Sequence, residues 1–396
     1  MAERTNMMDK ALGPARGPGL PWTAAEYELL RDQVRRFVEE EIKPCADSWE
    51  EQGFIPRPVL RRMGELGFFG IRYPGGYGGA EMDAVASTVF AEELGRSTYG
   101  GVADAMLVQA EMASVYVFHD GTRAQRARWM PGIIRGEVIT AVAITEPDAG
   151  SDVKAIRTRA LREGDSYILD GTKLYITNGV HADLYCVAAK TNPSAGSNGI
   201  TMFLVEKGTP GFSVGRVLDK QGWRSSDTAE LVFDGCRVPA ENVLGAEGQG
   251  FYSIMRNFQN ERLVLAAMAI GMAEAAIEMT LAHVKARRAF GGVLWDLQAI
   301  RQRLAMLAAK VEANREFLYA TAWRMAADDD CIREISMLKA ICAELVNEVA
   351  YACVQFHGAM GVMRESPIER IARDARVLPI AGGATEVMLE VVASMS

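Results

Sequence analysis

The sequence predicts an α+β fold in three successive parts: an N-terminal all-α domain, a middle antiparallel β-domain and a C-terminal four-helix bundle. Three observations carry this expectation. Apolar residues recur at helical spacing as far as about residue 137; from Val138 to residue 247 the period becomes strand-like; beyond Gly248 helical spacing returns in much longer stretches. With 396 residues the chain exceeds what one core accommodates, so several packed units are expected. The boundaries that follow are a flexible tail over 1–21, a helical domain over 22–137, a β-barrel-like domain over 138–247 and the bundle over 248–396.

In the first part a helix is predicted over Trp22–Pro44. Thr23 is its expected N-cap, and Glu26 three residues on would complete a capping box ahead of the Leu29, Leu30, Val34, Phe37 stripe. Further helices are predicted over Arg57–Leu66, Ala84–Leu94, Val102–His119 and Arg123–Arg135. The glycines around Tyr77 read as a turn, because no strand precedes them and no Lys-Ser or Lys-Thr follows as a phosphate loop requires. In the middle part, short β-branched or aromatic runs separated by Gly, Asp and Asn predict strands at Ile139–Thr145, Ser166–Asp170, Leu174–Thr177, Leu184–Ala189, Ile200–Val205, Phe212–Val217 and Ala229–Phe233. The third part predicts long helices over Phe251–Arg287, Leu297–Ala327, Cys331–His357 and Pro367–Arg376, with a last one from Thr385. Long amphipathic helices joined by short loops suggest an antiparallel bundle.

Composition excludes several classes. Apolar content of 49% and charged content of 24% are those of an ordinary globular protein. The longest apolar run, Leu263–Ala273, is too short to cross a bilayer, so no membrane span is expected. A formal net charge of −8 disfavours nucleic acid as a partner, since non-specific binding needs a basic face. The six cysteines form no C-x-x-C pair and sit mostly in apolar runs, which reads as reduced, buried thiols; with only four histidines, no metal site is expected. The first 21 residues hold no apolar core of a signal peptide, and the cytoplasm is the expected location.

Glu261 is the anomalous residue. Its neighbours at three and four residues are Asn257, Phe258, Val264 and Leu265, and no cation stands at helical pairing distance. A carboxylate on an apolar helix face costs several kcal/mol or has its pKa raised. It is therefore either a candidate general base or a structural charge over which Arg262 or a more distant cation folds. Two segments are chemically suggestive. Ala143–Asp152 leaves a strand and enters a loop of Thr, Ser and acidic residues with Gly150, able to offer hydroxyls and backbone N–H groups to a polar ring or a pyrophosphate, or else simply to close an Asx/Ser turn. Gln355–Val362 ends a helix at Gly358, where His357 alone reads as a packed helix-end residue.

Taken together, in this order and at this separation, those two segments resemble the paired signature motifs of the acyl-CoA dehydrogenases. The resemblance runs on through Tyr175-Ile176-Thr177-Asn178-Gly179, Asp227–Phe233, Val243-Leu244-Gly245 with Gly248–Phe251, and Arg287-Arg288-Ala289-Phe290-Gly291, and covers the chain from about Trp22 to its end. It implies FAD as cofactor, between the β-domain and the bundle. The flavin contacts would fall on Val142, Ile144, Thr145, Ser151, Tyr175 and Thr177. The diphosphate would fall to Arg287 of a neighbouring subunit, with Phe290 and Gln298, and the remaining contacts to Gln355, Gly358, Ala359, Ala384 and Glu386. Tyr175, Ala359 and Ala384 depart from the Trp, Gly or Ser, and Thr usual at those places.

The catalytic carboxylate of most members lies in a late Ile-Tyr-Glu-Gly-Thr segment, which here reads Ile380-Ala381-Gly382-Gly383-Ala384. A minority, including the long-chain and isovaleryl types, carries it in a Glu-Arg-Leu segment of the first bundle helix, here Glu261-Arg262-Leu263. The resemblance thus implies Glu261 as the α-proton base, with substrate contacts at Ser151, Phe258, Arg262, Gly382 and Gly383. The implied activity is FAD-dependent α,β-dehydrogenation of an acyl-CoA, or an acyl-carrier-protein thioester, with the β-hydride passing to flavin N5. A homotetramer in fatty-acid β-oxidation, delivering electrons to an electron-transferring flavoprotein, completes the expectation. An oxidase or flavin monooxygenase on the same fold is the alternative.

Overall fold

A computed structural model describes residues 20–395, so most of the tail expected over 1–21 lies outside the described residues. The chain divides into two compact units, each built from non-contiguous segments: Cys45–Asp83 with Gly101–Glu261, and the segments up to Pro44, Ala84–Gly100 and Arg262 onward.

The first of these units is built around a sheet. Its strands are β1 (Thr140–Ala143), β2 (Arg159–Glu163), β3 (Ser166–Thr177), β4 (Leu184–Lys190), β5 (Ile200–Glu206), β6 (Phe212–Val217), β7 (Thr228–Pro239) and β8 (Val243–Leu244). They lie in the order β6-β7-β3-β2-β4-β5-β8, with β1 also paired to β4. Pairing is mostly antiparallel, and β4 adds parallel partners in β1 and β2. The two strand signals at 166–170 and 174–177 belong to one strand, β3, which passes through two register shifts against β7. β4 and β5 are buried along nearly their whole length, as their unbroken apolar runs require.

Helices flank the sheet in the same unit. Ala46–Gln52, Arg57–Glu65 and Arg123–Ile134 are regular, and the first has no counterpart among the sequence expectations. The helix expected over Val102–His119 is interrupted, because a π-helical segment, Val108–Ala113, separates Gly100–Leu107 from Ser114–Asp120. Such bulges insert a residue into the i→i−4 ladder and are concentrated at functional sites.

The second unit is helical. Its elements are α1 (Ala25–Phe37), α2 (Ala84–Gly95), the part of α3 (Gly250–Ala286) from Arg262 onward, α4 (Gln298–Ala326), α5 (Ile332–His357), α6 (Pro367–Ala375) and α7 (Thr385–Ser394). α1 buries Tyr27, Leu30, Arg31, Val34 and Phe37 at helical spacing. Its N-cap is Ala24 rather than Thr23: Pro21 starts a short 3-10 turn in which the Thr23 hydroxyl donates back to the Leu20 carbonyl at 2.8 Å, so the capping box expected with Glu26 does not form. One forms instead at Thr122 and Gln125, whose side chains each accept from the other's backbone N–H. α3 is long and apolar enough to span a membrane by composition, but 89% of its most apolar window is buried inside the fold, which marks it as a core helix. It meets α2 at two glycines. A Cβ on Gly271 would stand 1.9 Å from the Glu92 carbonyl oxygen, and one on Gly95 would stand 2.3 Å from that of Met268.

That close approach leaves Glu92 and Glu93 fully buried, and the charge is met by cations from other helices. Arg31 donates to Glu92 at 2.9 Å, to Glu93 at 2.8 Å and to the Tyr319 hydroxyl at 2.6 Å. Arg315 donates to Glu92 at 2.8 Å, and its other nitrogens face Glu274 and Glu312. A buried ionic cluster of this kind tolerates loss of one member poorly, because the remaining charges are left uncompensated. Glu92→Gln is therefore expected to cost about 3 to 5 kcal/mol, read as a lowered urea midpoint with an unchanged slope.

Candidate functional site

The loop that follows β1 is held by charge from beneath. Lys173, on β3 and fully buried, donates to the Ile144 carbonyl at 2.9 Å and to Glu146 at 2.7 Å. The Glu146 carboxylate also accepts the backbone N–H groups of Arg157 and Thr158. Burial pulls the Lys173 ammonium down to about 8, while the Glu146 carboxyl, despite its burial, is held below the usual carboxylate range by the Lys173 charge. Both are ionised at neutral pH. Glu146 and Ala149 exchange backbone hydrogen bonds across a tight turn, and Leu174 donates to the Thr145 carbonyl. The Asx/Ser-turn reading and the ligand-loop reading of this segment are thus both physically compatible with what forms. The turn is closed by Glu146, and Ser151 and Gly150 beyond it stay exposed, with open space around Gly150.

Beside that loop, the end of β3 carries Tyr175 and Thr177. Tyr175 adopts φ +63° and is 65% exposed. A left-handed, non-glycine residue that displays an aromatic face to solvent stores backbone strain of the kind concentrated at ligand sites. Thr177 donates its hydroxyl to Asp104 at 3.2 Å. Val142, Ile144 and Phe258 share one apolar cluster, which also contains Tyr116.

Glu261 is half-buried near the start of α3. Its predecessor Asn260 is locked in place, donating to the Glu111 carbonyl at 2.8 Å and the Glu111 carboxylate at 2.9 Å and accepting from Arg72. Glu111 belongs to the π-helical segment. The Tyr116 phenol, buried, is pushed well above its usual range by burial and next by the charge of Glu261. These contacts define the surroundings of Glu261, and Asn260, Arg72, Glu111 and Tyr116 carried no signal in sequence because their partners lie far away along the chain.

The remaining candidates lie in the helical unit. Arg262 is buried beside Gly383, whose hypothetical Cβ would approach its Nε to 3.4 Å. Gly382 and Gly383 adopt φ +62° and +107°, and buried Lys339 donates to the Gly383 and Leu378 carbonyls, fixing the turn ahead of α7. Ala384 is the N-cap of α7 and Glu386 stands exposed in its first turn. Arg287 is exposed at the end of α3, followed by a two-stranded ribbon, Arg288–Ala289 and Gly292–Val293, whose turn holds Phe290 at φ +53° and 91% exposed. Gln298 opens α4, also exposed. Gln355 and Ala359 are exposed about the end of α5, and Gly358, at φ +63° and ψ −138°, occupies backbone space that only glycine enters freely. His357 stacks on His283 at 4.2 Å and is packed rather than aimed at a ligand.

These residues fit FAD by their chemistry. An isoalloxazine needs a flat apolar surface with hydroxyl and amide partners, which Tyr175, Thr145 and Thr177 offer, and a diphosphate needs a guanidinium fork in solvent reach, which Arg287 offers. Glycine at 358 and 383 leaves space where a side chain would intrude or strain the backbone.

Comparison with known proteins agrees with this chemistry. The family pattern described as acyl-CoA dehydrogenase, N-terminal domain, matches residues 24–137; the middle-domain pattern matches 141–236 and the C-terminal-domain pattern 248–396. The long-chain specific acyl-CoA dehydrogenase of mitochondria from Mus musculus is 38% identical over 382 residues, spanning 93% of this chain and 86% of its own. The crystal structure of an acyl-CoA dehydrogenase from Geobacillus kaustophilus superimposes with a TM-score of 0.91 at 38% identity, covering 95% of this chain and 99% of that one. A prolyl acyl carrier protein oxidase, AnaB, superimposes with a TM-score of 0.89 at 29% identity, covering 94% and 99%. With matches that run from residue 24 to the C-terminus and a fold that follows them throughout, the chain belongs to the acyl-CoA dehydrogenase family.

Proposed function

We propose that the protein desaturates an acyl-CoA thioester to the trans-2-enoyl-CoA, with Glu261 as the base that takes the α-proton. The observation that carries this reading is the placement of Glu261: a half-buried carboxylate on a core helix, in a Glu-Arg-Leu segment, in a chain whose late loop has glycine at 382. FAD, when bound, supplies the acceptor for the β-hydride. The enzyme is an oxidoreductase of its family, and an electron-transferring flavoprotein is the acceptor that suits its chemistry.

A base must lie within reach of its proton and be held there. Asn260, tied to Glu111 and Arg72, fixes the helix turn from which Glu261 projects. Tyr116, Ile144 and Phe258 form an apolar wall on the Glu261 side of the same unit. Ser151 and the Thr145 and Thr177 hydroxyls would hold the flavin and the thioester in register. Arg262, Gly382 and Gly383 would contribute the further substrate contacts that the family resemblance implies, and Arg287 with Phe290 would reach the FAD of a neighbouring subunit. An exposed Phe290, together with exposed Tyr351, Ile341 and Leu389 on the helical unit, supports self-association, for which a homotetramer is the expected form.

Anaerobic bleaching of the flavin by a panel of straight, branched and aromatic acyl-CoAs tests the activity and reads the acyl preference. Turnover with oxygen alone, in the absence of a flavoprotein acceptor or dye, would instead identify an oxidase like the AnaB neighbour. Glu261→Gln is expected to keep the fold and the flavin but to slow reduction by acyl-CoA at least about a hundredfold, toward the loss of about 3 to 5 kcal/mol that removing a positioned base entails. Near-normal reduction by this variant sinks the assignment. Arg287→Ala is expected to loosen FAD and to shift the protein toward smaller species on size exclusion together; a wild-type monomer with stoichiometric FAD would show that the arginine does not act across subunits.

A further inference from the structure

Asp104 is a carboxylate that the reaction above does not use. It lies on the helix Gly100–Leu107, only 4% exposed, and its Oδ2 accepts the Thr177 hydroxyl at 3.2 Å. This helix is pinned to the end of β3, because Asn178 donates through its side chain to the Ala105 carbonyl. The one cation facing the carboxyl among the described residues is Lys220, itself held by three bonds, to the Ser226 carbonyl, the Ser226 hydroxyl and the Thr228 hydroxyl. Asp227, nearby on the same stretch, is engaged with His181 at 3.1 Å and with the backbone N–H of Val180.

We propose that Asp104 is a positioning residue for the flavin, setting through its own proton the direction of the Thr177 hydroxyl. The proposal rests on the reading that Thr177 contacts FAD. A threonine hydroxyl has one proton. When Asp104 is ionised it takes that proton in a hydrogen bond, and Thr177 can only accept from the flavin. When Asp104 is protonated it donates to the Thr177 oxygen, which frees the hydroxyl proton to donate outward. An isoalloxazine carries both ring acceptors and N–H donors, so the two states present it with opposite partners. Burial drives the Asp104 carboxyl up to about 6, against the opposing effects of Lys220 and of the Thr177 hydrogen bond, so both states are reached near neutral pH. The sign follows: acidification through that value turns Thr177 from acceptor into donor, and alkalinisation reverses it.

The test is a titration of the oxidised holoprotein from about pH 5 to about pH 8, following the visible absorbance of the bound flavin. Wild type should show a spectral shift with a single midpoint in that range. Asp104→Asn should lose it while retaining flavin, and the flavin that Thr177→Val binds should show no shift. Lys220→Met alters neither partner of the hydrogen bond, and by removing the positive charge it should move the midpoint to higher pH. A spectrum independent of pH in wild type, a shift retained in Asp104→Asn or Thr177→Val, or a midpoint unmoved in Lys220→Met overturns the proposal. Failure of the wild type to bind flavin would strike instead at the cofactor reading on which it rests, and flavin that acyl-CoA bleaches but that shows no titration strikes at Asp104 alone.

Discussion

The buried pair of Lys173 and Glu146 is the interaction on which the loop beyond β1 depends. Lys173 comes from the middle of β3 and Glu146 from the loop beyond β1, and their contact brings a strand and a loop into one surface. Ionic pairs in a dry interior return their desolvation cost only when the remaining lone pairs and protons are met. Here they are: the Ile144 carbonyl takes one ammonium proton, and the backbone N–H groups of Arg157 and Thr158 reach the carboxylate. The pair thus fixes three backbone segments at once.

Tyr175 and Phe290 hold left-handed backbone without being glycine, at a cost of the order of 1 to 2 kcal/mol each, and both expose an aromatic ring. At Phe290 the tight ribbon turn demands it, since consecutive positive φ values at Phe290 and Gly291 match the twist of a two-residue hairpin. Glycines at 358, 382 and 383 meet the same need at no such cost. At Gly382 any residue with a side chain would be held at φ +62°, which only glycine adopts without cost.

In the helical unit the same logic of local geometry and distant partners recurs. Gly95 and Gly271 let α2 and α3 approach until backbone meets backbone, and the close approach buries Glu92 and Glu93 so deeply that Arg31 and Arg315 must follow them in. The helices themselves are legible from apolar spacing; the ionic cluster is not, because its members come from four helices spread over the chain and, apart from Arg315 with Glu312, the pairs join different helices.

What the sequence by itself determined was everything governed by short-range period and by motif. The long helices from Gly250 to Ser394, the strands β4, β5 and β6, the Gly358 stop and the anomaly of Glu261 are readable from residues within a turn or two of one another, and the ordered motifs identify the family. Tertiary structure alone decided the rest. The joining of two strand signals into β3, the parallel pairings of β1 and β2 with β4 and the π-helical break at Val108–Ala113 depend on packing that no local stretch of the sequence carries. Asp104 with Thr177, and Asn260 with Glu111, lie in that second class. Each pair joins residues far apart along the chain, and the partnership of Asp104 forms only because the fold brings Thr177, 73 residues away, within reach.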